Sequence, residues 1–132
     1  MKGRESGMPE VTYWESFFNP ESALEHLLGT EGVSGGVVEF GCGYGTFTLP
    51  AAKRTSGVVT ALDIEPEMIA YTKQKALQQT LSNIRTEVCD FVTDGTGLRD
   101  NSQAHAMIFN LLHLELPVEL LREAHRVLSP GG

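Results

Sequence analysis

The chain has 132 residues, of which 41% are hydrophobic and 20% charged, and its formal net charge is −7, which predicts one soluble globular domain with a sizeable core. The acidic balance argues against a nucleic-acid partner, because non-specific affinity for a phosphate backbone depends on Lys and Arg. There is no apolar run near the roughly 20 residues that cross a bilayer and no apolar segment of a signal peptide, so we expect a cytoplasmic protein with no membrane partner.

The first 18 residues are expected to form an N-terminal arm or lid, ahead of a core that spans residues 19–132 of this single domain. Tyr13 and Trp14 either pack on the core or line the mouth of a binding site, and both interpretations stay open. Asn19 and the proline after it predict the start of a helix, because asparagine caps free amides and proline suits the first helical position.

The most informative stretch begins at Val37, where a short apolar run meets glycines at positions 41, 43 and 45. The run is typical of a strand buried in a parallel sheet. Glycine lets the backbone turn sharply and approach a ligand closely, and the amides just beyond are expected to point into the crevice above the strand. A second apolar run ends at Asp63, where an acidic side chain is placed to accept hydrogen bonds from ribose hydroxyls. Together these features predict a nucleotide-type cofactor loop.

This loop departs from the dinucleotide-binding fingerprint. The fingerprint requires its third glycine at the position of Thr46, whereas the third glycine here comes one residue earlier, at Gly45. A nicotinamide or flavin site and a purely structural turn are the alternative interpretations of the same residues.

Two later helices are predicted from proline positions and apolar spacing. Pro66 suits the first turn of one, which is expected to reach about residue 81 with Ile69, Ala76 and Leu77 facing inward. Pro117 opens the last helix, whose apolar face is predicted to contain Leu120, Leu121, Ala124, Val127 and Leu128.

Two further strands complete the predicted sheet. Residues 83–91 alternate in polarity, as expected near an edge, and residues 104–110 form a buried strand after a loop over 93–102. We expect an α/β fold, a Rossmann-like doubly wound parallel sheet of strand order 3-2-1-4 with helices on both faces and right-handed crossovers. Its ligand crevice lies at the carboxyl ends of strands one and four.

Five segments occur in an order that resembles the motifs of class I S-adenosylmethionine-dependent methyltransferases: VVEFGCGYGTFT, ALDIEPEMI, CDFV, FNLLHLE and LLREAHRVLSPGG. The resemblance covers about residues 33–132 and implies S-adenosylmethionine as cofactor and S-adenosylhomocysteine as product. The implied cofactor-binding residues are Glu39, Gly41, Cys42, Gly43, Asp63, Ile64, Asp90, Phe91 and Asn110.

The resemblance also implies a role for each region. Glu39 and the glycine loop surround the methionine moiety, and Asp63 holds the ribose hydroxyls. The next residue, Ile64, lies against the adenine, and an ordinary core position is the alternative for it. Asp90 and the main chain of Phe91 meet the adenine edge.

Asn110 is expected beside the transferring methyl group, and Asn110 and His113 are the candidate catalytic residues. A base is needed only if the acceptor loses a proton as it attacks, and a capping or packing role is the alternative for His113. The Pro-Pro-aromatic sequence of amino-methylating nucleic-acid enzymes does not follow Asn110, which favours a small-molecule or protein acceptor. No metal site is expected, because neither Cys42 nor Cys89 has the spaced partner ligands of a zinc site. Both cysteines are predicted to be free thiols.

Domains of this family continue past the Pro-Gly-Gly turn with further strands, and these C-terminal strands are missing from the 132 residues. The fourth strand is then expected to have a bare edge, which proteins normally cover, so a homodimer through this edge is one expectation. We expect a methyltransferase, and whether a fragment of this length is active or inactive stays open. The alternative is a non-catalytic module that binds S-adenosylmethionine or a partner.

Overall fold

The computed structural model describes residues 19–29, 32–109 and 117–132. Eight elements follow in the order α1 (Pro20–Leu28), β1 (Val37–Phe40), α2 (Thr48–Ala52), β2 (Val59–Asp63), α3 (Pro66–Gln78), β3 (Ile84–Val88), β4 (His105–Ile108) and α4 (Pro117–Val127). The predicted arm or lid and the candidate catalytic residues Asn110 and His113 lie outside the described residues.

The four strands form one parallel sheet in the order β3-β2-β1-β4, which confirms the predicted topology. Val37 of β1 pairs with Val59 on one side and with His105 on the other. Every residue of β1 and β2 is buried, whereas the edge strand β3 is mostly exposed or half-buried. This gradient explains why the central strands are continuous apolar runs and β3 alternates.

Helices cover both faces of the sheet, as predicted. On one face, Leu24 of α1 and Ala51 of α2 pack against Val37 and Val59, with Met107 of β4 in the same cluster. On the other face, α4 packs its buried side chains (Leu120, Ala124 and Val127) against Val38, Phe40 and Leu62. The alternation of side chains along each strand assigns successive residues to opposite layers.

The start of α1 was predicted correctly. The Asn19 side chain accepts a hydrogen bond from the Ser22 N–H at 3.1 Å, and Pro20 stands at the first helical position. Gly29, with a φ of +82°, ends the helix and donates its N–H to the Glu25 carbonyl. Local sequence chemistry therefore accounts for both ends of α1.

Two predicted core positions were wrong. Leu77 is 70% exposed, and Thr72 joins Ile69 and Ala76 in the buried stripe of α3 instead. Leu121 is 49% exposed because it lies one residue, or about 100° around the helix, from the buried Leu120.

Several predicted element boundaries also differ from the structure. Helix α3 ends at Gln78 and not at about residue 81, and both β3 and β4 are shorter than the predicted ranges 83–91 and 104–110. The left-handed φ of +55° at Thr80 ends the turn that follows α3. Between β3 and β4, residues 89–104 form turns and irregular chain, in agreement with the predicted loop.

The chain after α4 returns beside the start of β4. Leu128 forms a parallel bridge with Gln103, and the Gln103 N–H donates to the Val127 carbonyl at 2.8 Å. Leu128 therefore lies beyond the helix to which the sequence pattern assigned it. Within the described ranges, no helix has the length and apolar character needed to cross a membrane.

Candidate functional site

The carboxyl ends of the parallel strands bring most of the predicted cofactor residues to one edge of the sheet. The glycine loop follows β1, Asp63 closes β2, and Asp90 comes two residues after β3. Because the strands are parallel and in the order β3-β2-β1-β4, these segments are neighbours at the same edge. This arrangement is a crevice of the kind that binds nucleotides in open α/β sheets.

The glycine loop has a backbone that only glycine adopts without strain. Gly41 and Gly43 have φ angles of +76° and +56°, in the region that side chains with a Cβ rarely enter. The N–H groups of Gly41 and Cys42 donate to the Leu62 carbonyl at 2.8 and 2.9 Å, and the Gly45 N–H donates to the Cys42 carbonyl at 3.0 Å. The expectation that the loop amides point into the crevice is therefore wrong for these residues, which bond to the protein itself.

Asp63 connects β2 to this loop. It is fully buried; its Oδ2 accepts from the Gly43 N–H at 2.9 Å and its Oδ1 accepts from the Glu65 N–H at 2.9 Å. The carboxylate thus sets the position of the loop backbone. A carboxylate can accept up to four hydrogen bonds, so these two are compatible with the ribose contact expected from sequence.

Glu39 is a charged residue in the centre of the sheet. It is 1% exposed, and its Oε1 accepts a hydrogen bond from the Thr48 hydroxyl at the start of α2. A buried carboxylate is costly unless it is hydrogen-bonded, and Thr48 supplies one such bond. The contact joins β1 to the helix that follows the glycine loop.

Thr72 is a residue of this site that the sequence reasoning missed. It is fully buried in α3, and its hydroxyl donates to the Gly43 carbonyl at 3.0 Å. The Cys42 Sγ lies 3.8 Å from the same hydroxyl, and a Cβ added to Gly45 would lie 3.1 Å from it. One signal was present in the sequence: Thr72 falls between Ile69 and Ala76 at helical spacing, on the inward face.

The residues expected at the adenine have different surroundings. Ile64 and Asp90 are half-buried, and Asp90 Oδ1 accepts from the Thr93 N–H at 3.2 Å. The Phe91 ring is 7% exposed and packs edge-on against Phe40, with ring centroids 5.2 Å apart. The side chain of Phe91 therefore belongs to the core, and only its main chain is left for a contact with a ligand.

A charged cluster ties the loop after β3 to α4. Glu123 Oε2 accepts from the Thr96 N–H and hydroxyl, both at 2.8 Å. Arg126 donates to both oxygens of Glu123 at 2.8 and 2.7 Å, and also to Asp100 Oδ1 and the Leu98 carbonyl. Hydrogen bonds from Arg126, followed by those from Thr96, lower the pKa of Glu123 from 4.5 to about 2. The cluster therefore attaches the loop after β3, which contains Asp90, to α4.

Both cysteines are thiols and neither forms a disulfide, as predicted. Cys42 is a buried residue of the glycine loop, and Cys89 donates its Sγ–H to the Gly95 carbonyl at 3.1 Å. Burial, followed by the charges of Glu87 and Asp90, raises the pKa of the Cys89 thiol. Across residues 19–29, 32–109 and 117–132, no group of three His, Cys, Asp or Glu side chains could hold a metal ion.

The chemistry of these groups favours a particular kind of ligand. The amides of Gly41, Cys42, Gly43 and Gly45 all donate within the protein, so the loop does not offer them to an anion such as a pyrophosphate. Carboxylates stand at the tips of β2 and β3 instead. These carboxylates can accept hydrogen bonds from the hydroxyls and the amine of a nucleoside.

Comparisons with known proteins agree with this geometry. The model of a family described as "Methyltransferase domain" matches residues 37–132. No curated protein sequence matches the chain.

Three of the solved structures that share the fold illustrate the match. A SAM-dependent methyltransferase from Aquifex aeolicus is 25% identical with a TM-score of 0.75, and the match covers 88% of this chain and 61% of that one. Geranyl diphosphate C-methyltransferase from Streptomyces coelicolor A3(2), in complex with Mg²⁺, geranyl diphosphate and S-adenosyl-L-homocysteine, is 22% identical, with a TM-score of 0.74 and coverage of 93% and 46%. The [4+2]-cyclase SpnF is 24% identical, with a TM-score of 0.73 and coverage of 85% and 41%.

This chain spans less than two thirds of the length of each of these three proteins. The family model, however, covers most of its residues, from the first strand to the last described position. The chain belongs to the methyltransferase domain family.

Proposed function

We propose that this chain binds S-adenosylmethionine at the carboxyl edge of its sheet and is the cofactor-binding part of a methyltransferase. The observation that carries the proposal is the glycine loop, in which the amides of residues 41, 42 and 45 bond internally while Asp63 is anchored on the Gly43 N–H. With these amides engaged, the loop does not offer them to the phosphates of a dinucleotide, which bind to backbone N–H groups. Membership of the methyltransferase domain family supports the same cofactor.

The proposed contacts follow the strand tips. Glu39, Gly41, Cys42 and Gly43 surround the methionine moiety, Asp63 accepts from the ribose hydroxyls, and Ile64, Asp90 and the Phe91 main chain meet the adenine. Because Asp63 is fully buried in this structure, its contact with the ribose requires a small local movement of the loop around Gly43. Asn110 and His113, beyond the end of β4, are proposed to lie beside the acceptor.

The proposed reaction is transfer of the methyl group to a nucleophilic atom of an acceptor. When bound, the cofactor supplies an activated methyl group, because its sulfonium is a good leaving group. The protein residues orient that group and exclude water, and His113 is the proposed acceptor of a proton where the acceptor must lose one. The net charge of −7 favours a small-molecule or protein acceptor over a nucleic acid.

Isothermal titration calorimetry tests the cofactor proposal directly. We expect the chain to bind S-adenosylmethionine and S-adenosylhomocysteine and to show no heat with NADH. Asp63→Asn keeps the shape of the side chain but removes its charge, and is expected to weaken binding at least tenfold. Glu67→Gln, an equivalent change at the exposed start of α3, is the matched control. Wild-type protein that binds neither S-adenosyl compound would refute the proposal.

A non-catalytic binding module is the second candidate function. One fold neighbour, SpnF, is a [4+2]-cyclase, so this fold alone does not specify methyl transfer. Incubation of the chain with S-adenosylmethionine carrying a labelled methyl group, together with a lysate, separates the two. Label transferred to any acceptor favours the enzyme, and tight binding without transfer favours the module.

A cytoplasmic location and a homodimer are proposed as well. Two cysteines in the thiol form suit a reducing compartment. The homodimer would pair the outer edge of β4 with that of a second copy, since exposed strand edges are normally covered. Light scattering that gives only the monomer mass at high concentration would exclude the dimer.

A further inference from the structure

The strongest unassigned feature near the site is the buried hydroxyl of Thr72 in α3. Thr72 has no exposed surface, and its hydroxyl donates to the Gly43 carbonyl at 3.0 Å. The same residue faces Gly45, where an added Cβ would lie 3.1 Å from the hydroxyl and 3.2 Å from the methyl group. Thr72 therefore contacts two of the three glycines of the loop.

The peptide groups of Gly43 are held from opposite directions. The N–H of Gly43 donates to Asp63 Oδ2 at 2.9 Å, and its carbonyl accepts from Thr72 at 3.0 Å. Gly43 has a φ of +56°, and as a glycine it has no Cβ to restrict its backbone rotation. These two hydrogen bonds supply the restraint, one from the end of β2 and one from the middle of α3.

The hydroxyl is the part of Thr72 that matters for this restraint. Valine has nearly the same volume as threonine and would fill the same space beside Gly45, but it has no donor for the Gly43 carbonyl. If packing alone explained the residue, valine would serve equally well at this buried position. The thiol of Cys42 lies 3.8 Å from the Thr72 hydroxyl and adds a second, weaker polar contact to that hydroxyl.

From this geometry we infer that Thr72 is a positioning residue that presets the glycine loop for the cofactor. The inference rests on the proposed binding of S-adenosylmethionine at this loop. A loop that is already in its binding conformation loses less entropy when the ligand binds. Loss of the Thr72 hydroxyl should therefore weaken binding even though the residue does not touch the ligand.

Three variants test the inference. Thr72→Val removes the hydroxyl, Thr72→Ser keeps it and removes the methyl group, and Thr60→Val makes the same change at a buried threonine of β2. Thr60 pairs with Val38 and lies on the α4 side of the sheet, away from the glycine loop. The Kd for S-adenosylhomocysteine is measured by calorimetry at a temperature where all variants are folded.

A net hydrogen-bond contribution of about 0.5–1.5 kcal/mol corresponds to about a 2- to 10-fold change in Kd. We expect the Kd of Thr72→Val to rise by that factor. The Kd values of Thr72→Ser and Thr60→Val should stay within about 2-fold of the wild-type value. Equal affinity of Thr72→Val and wild type would overturn the inference while leaving the proposed function intact. If wild type itself does not bind, the proposed function fails instead.

Amide hydrogen exchange provides a readout that needs no ligand. We expect Thr72→Val to speed exchange of the Gly43 N–H relative to the Val38 N–H in the centre of β1. A uniform change across both amides would mean that Thr72 contributes only to global stability, and would overturn the inference whatever the binding result.

Discussion

Glu123 of α4 provides the sharpest test of how the loop after β3 is held in place. Its carboxylate accepts four hydrogen bonds, two from Thr96 and two from Arg126, and its side chain is 14% exposed. Glu123→Gln keeps the shape but has one acceptor oxygen in place of two and no charge, so it cannot accept all four hydrogen bonds. We expect the variant to destabilise the protein.

The magnitude follows from the pKa of Glu123. A fall from 4.5 to about 2, at 1.36 kcal/mol per unit, corresponds to about 3 kcal/mol. Arg126 is 38% exposed, and solvent screening reduces the value to about 2 kcal/mol. For a domain of this size, that loss lowers the Tm by roughly 6–8 °C.

The assay is urea unfolding of wild type, Glu123→Gln and the matched control Glu119→Gln. Glu119 also faces an arginine three residues on in α4, at 3.6 Å, but both members of that pair are exposed. Such a pair contributes about 0–1 kcal/mol, so the control should lose at most about 1 kcal/mol.

The effect also has a defined pH dependence. The folded-state pKa of Glu123 is lowered, so the unfolded chain binds the proton first as the pH falls, and the stabilisation is complete above about pH 4.5. It is lost as the pH falls from there to about 2. The difference in free energy of unfolding between wild type and Glu123→Gln should therefore be smaller at pH 3 than at neutral pH. A Glu123→Gln loss no larger than that of the control, or a difference independent of pH, would refute the reasoning.

Three further predictions follow from burial, capping and thiol chemistry. Leu120 is fully buried and Leu121 is 49% exposed, so Leu120→Ala should cost about 3 kcal/mol in urea unfolding and Leu121→Ala under about 1 kcal/mol; equal losses would contradict the observed orientation of α4. Asn19→Ala removes the cap of α1 and should lower the free energy of unfolding by about 1 kcal/mol, and an unchanged unfolding midpoint would show that the cap contributes nothing. The raised pKa of Cys89 should make its alkylation by iodoacetamide slower at pH 8 than that of the urea-unfolded chain, and equally fast folded-state alkylation would show a reactive thiolate.

The order of the strands and the chemistry of their tips could be predicted from the sequence. Continuous apolar runs at Val37 and Val59 mark strands that are buried on both faces, and proline and asparagine mark helix starts. Since parallel strands end at one edge, the positions of the glycine loop and of Asp63 in the chain already predict that they are neighbours. The apolar runs and the helix starts are local features, so their physical cause is contained in short segments.

The direction of individual side chains was less predictable. Leu77 and Leu121 are apolar residues at the margins of their helical stripes, and the packing of each helix on the sheet decided their exposure. The directions of the Gly41, Cys42 and Gly43 amides were likewise mispredicted, because the Leu62 carbonyl and Asp63, which accept them, come from a different strand.

By itself, the sequence determined a parallel α/β sheet with a glycine loop and acidic strand tips, because apolar periodicity and glycine conformation act over a few residues. Only the tertiary structure decided that Asp63 and Thr72 hold the two sides of Gly43 and that Glu123 binds the loop after β3. Those contacts join residues that are 20 or more positions apart. They depend on how helices pack against the sheet, and no local pattern encodes that geometry.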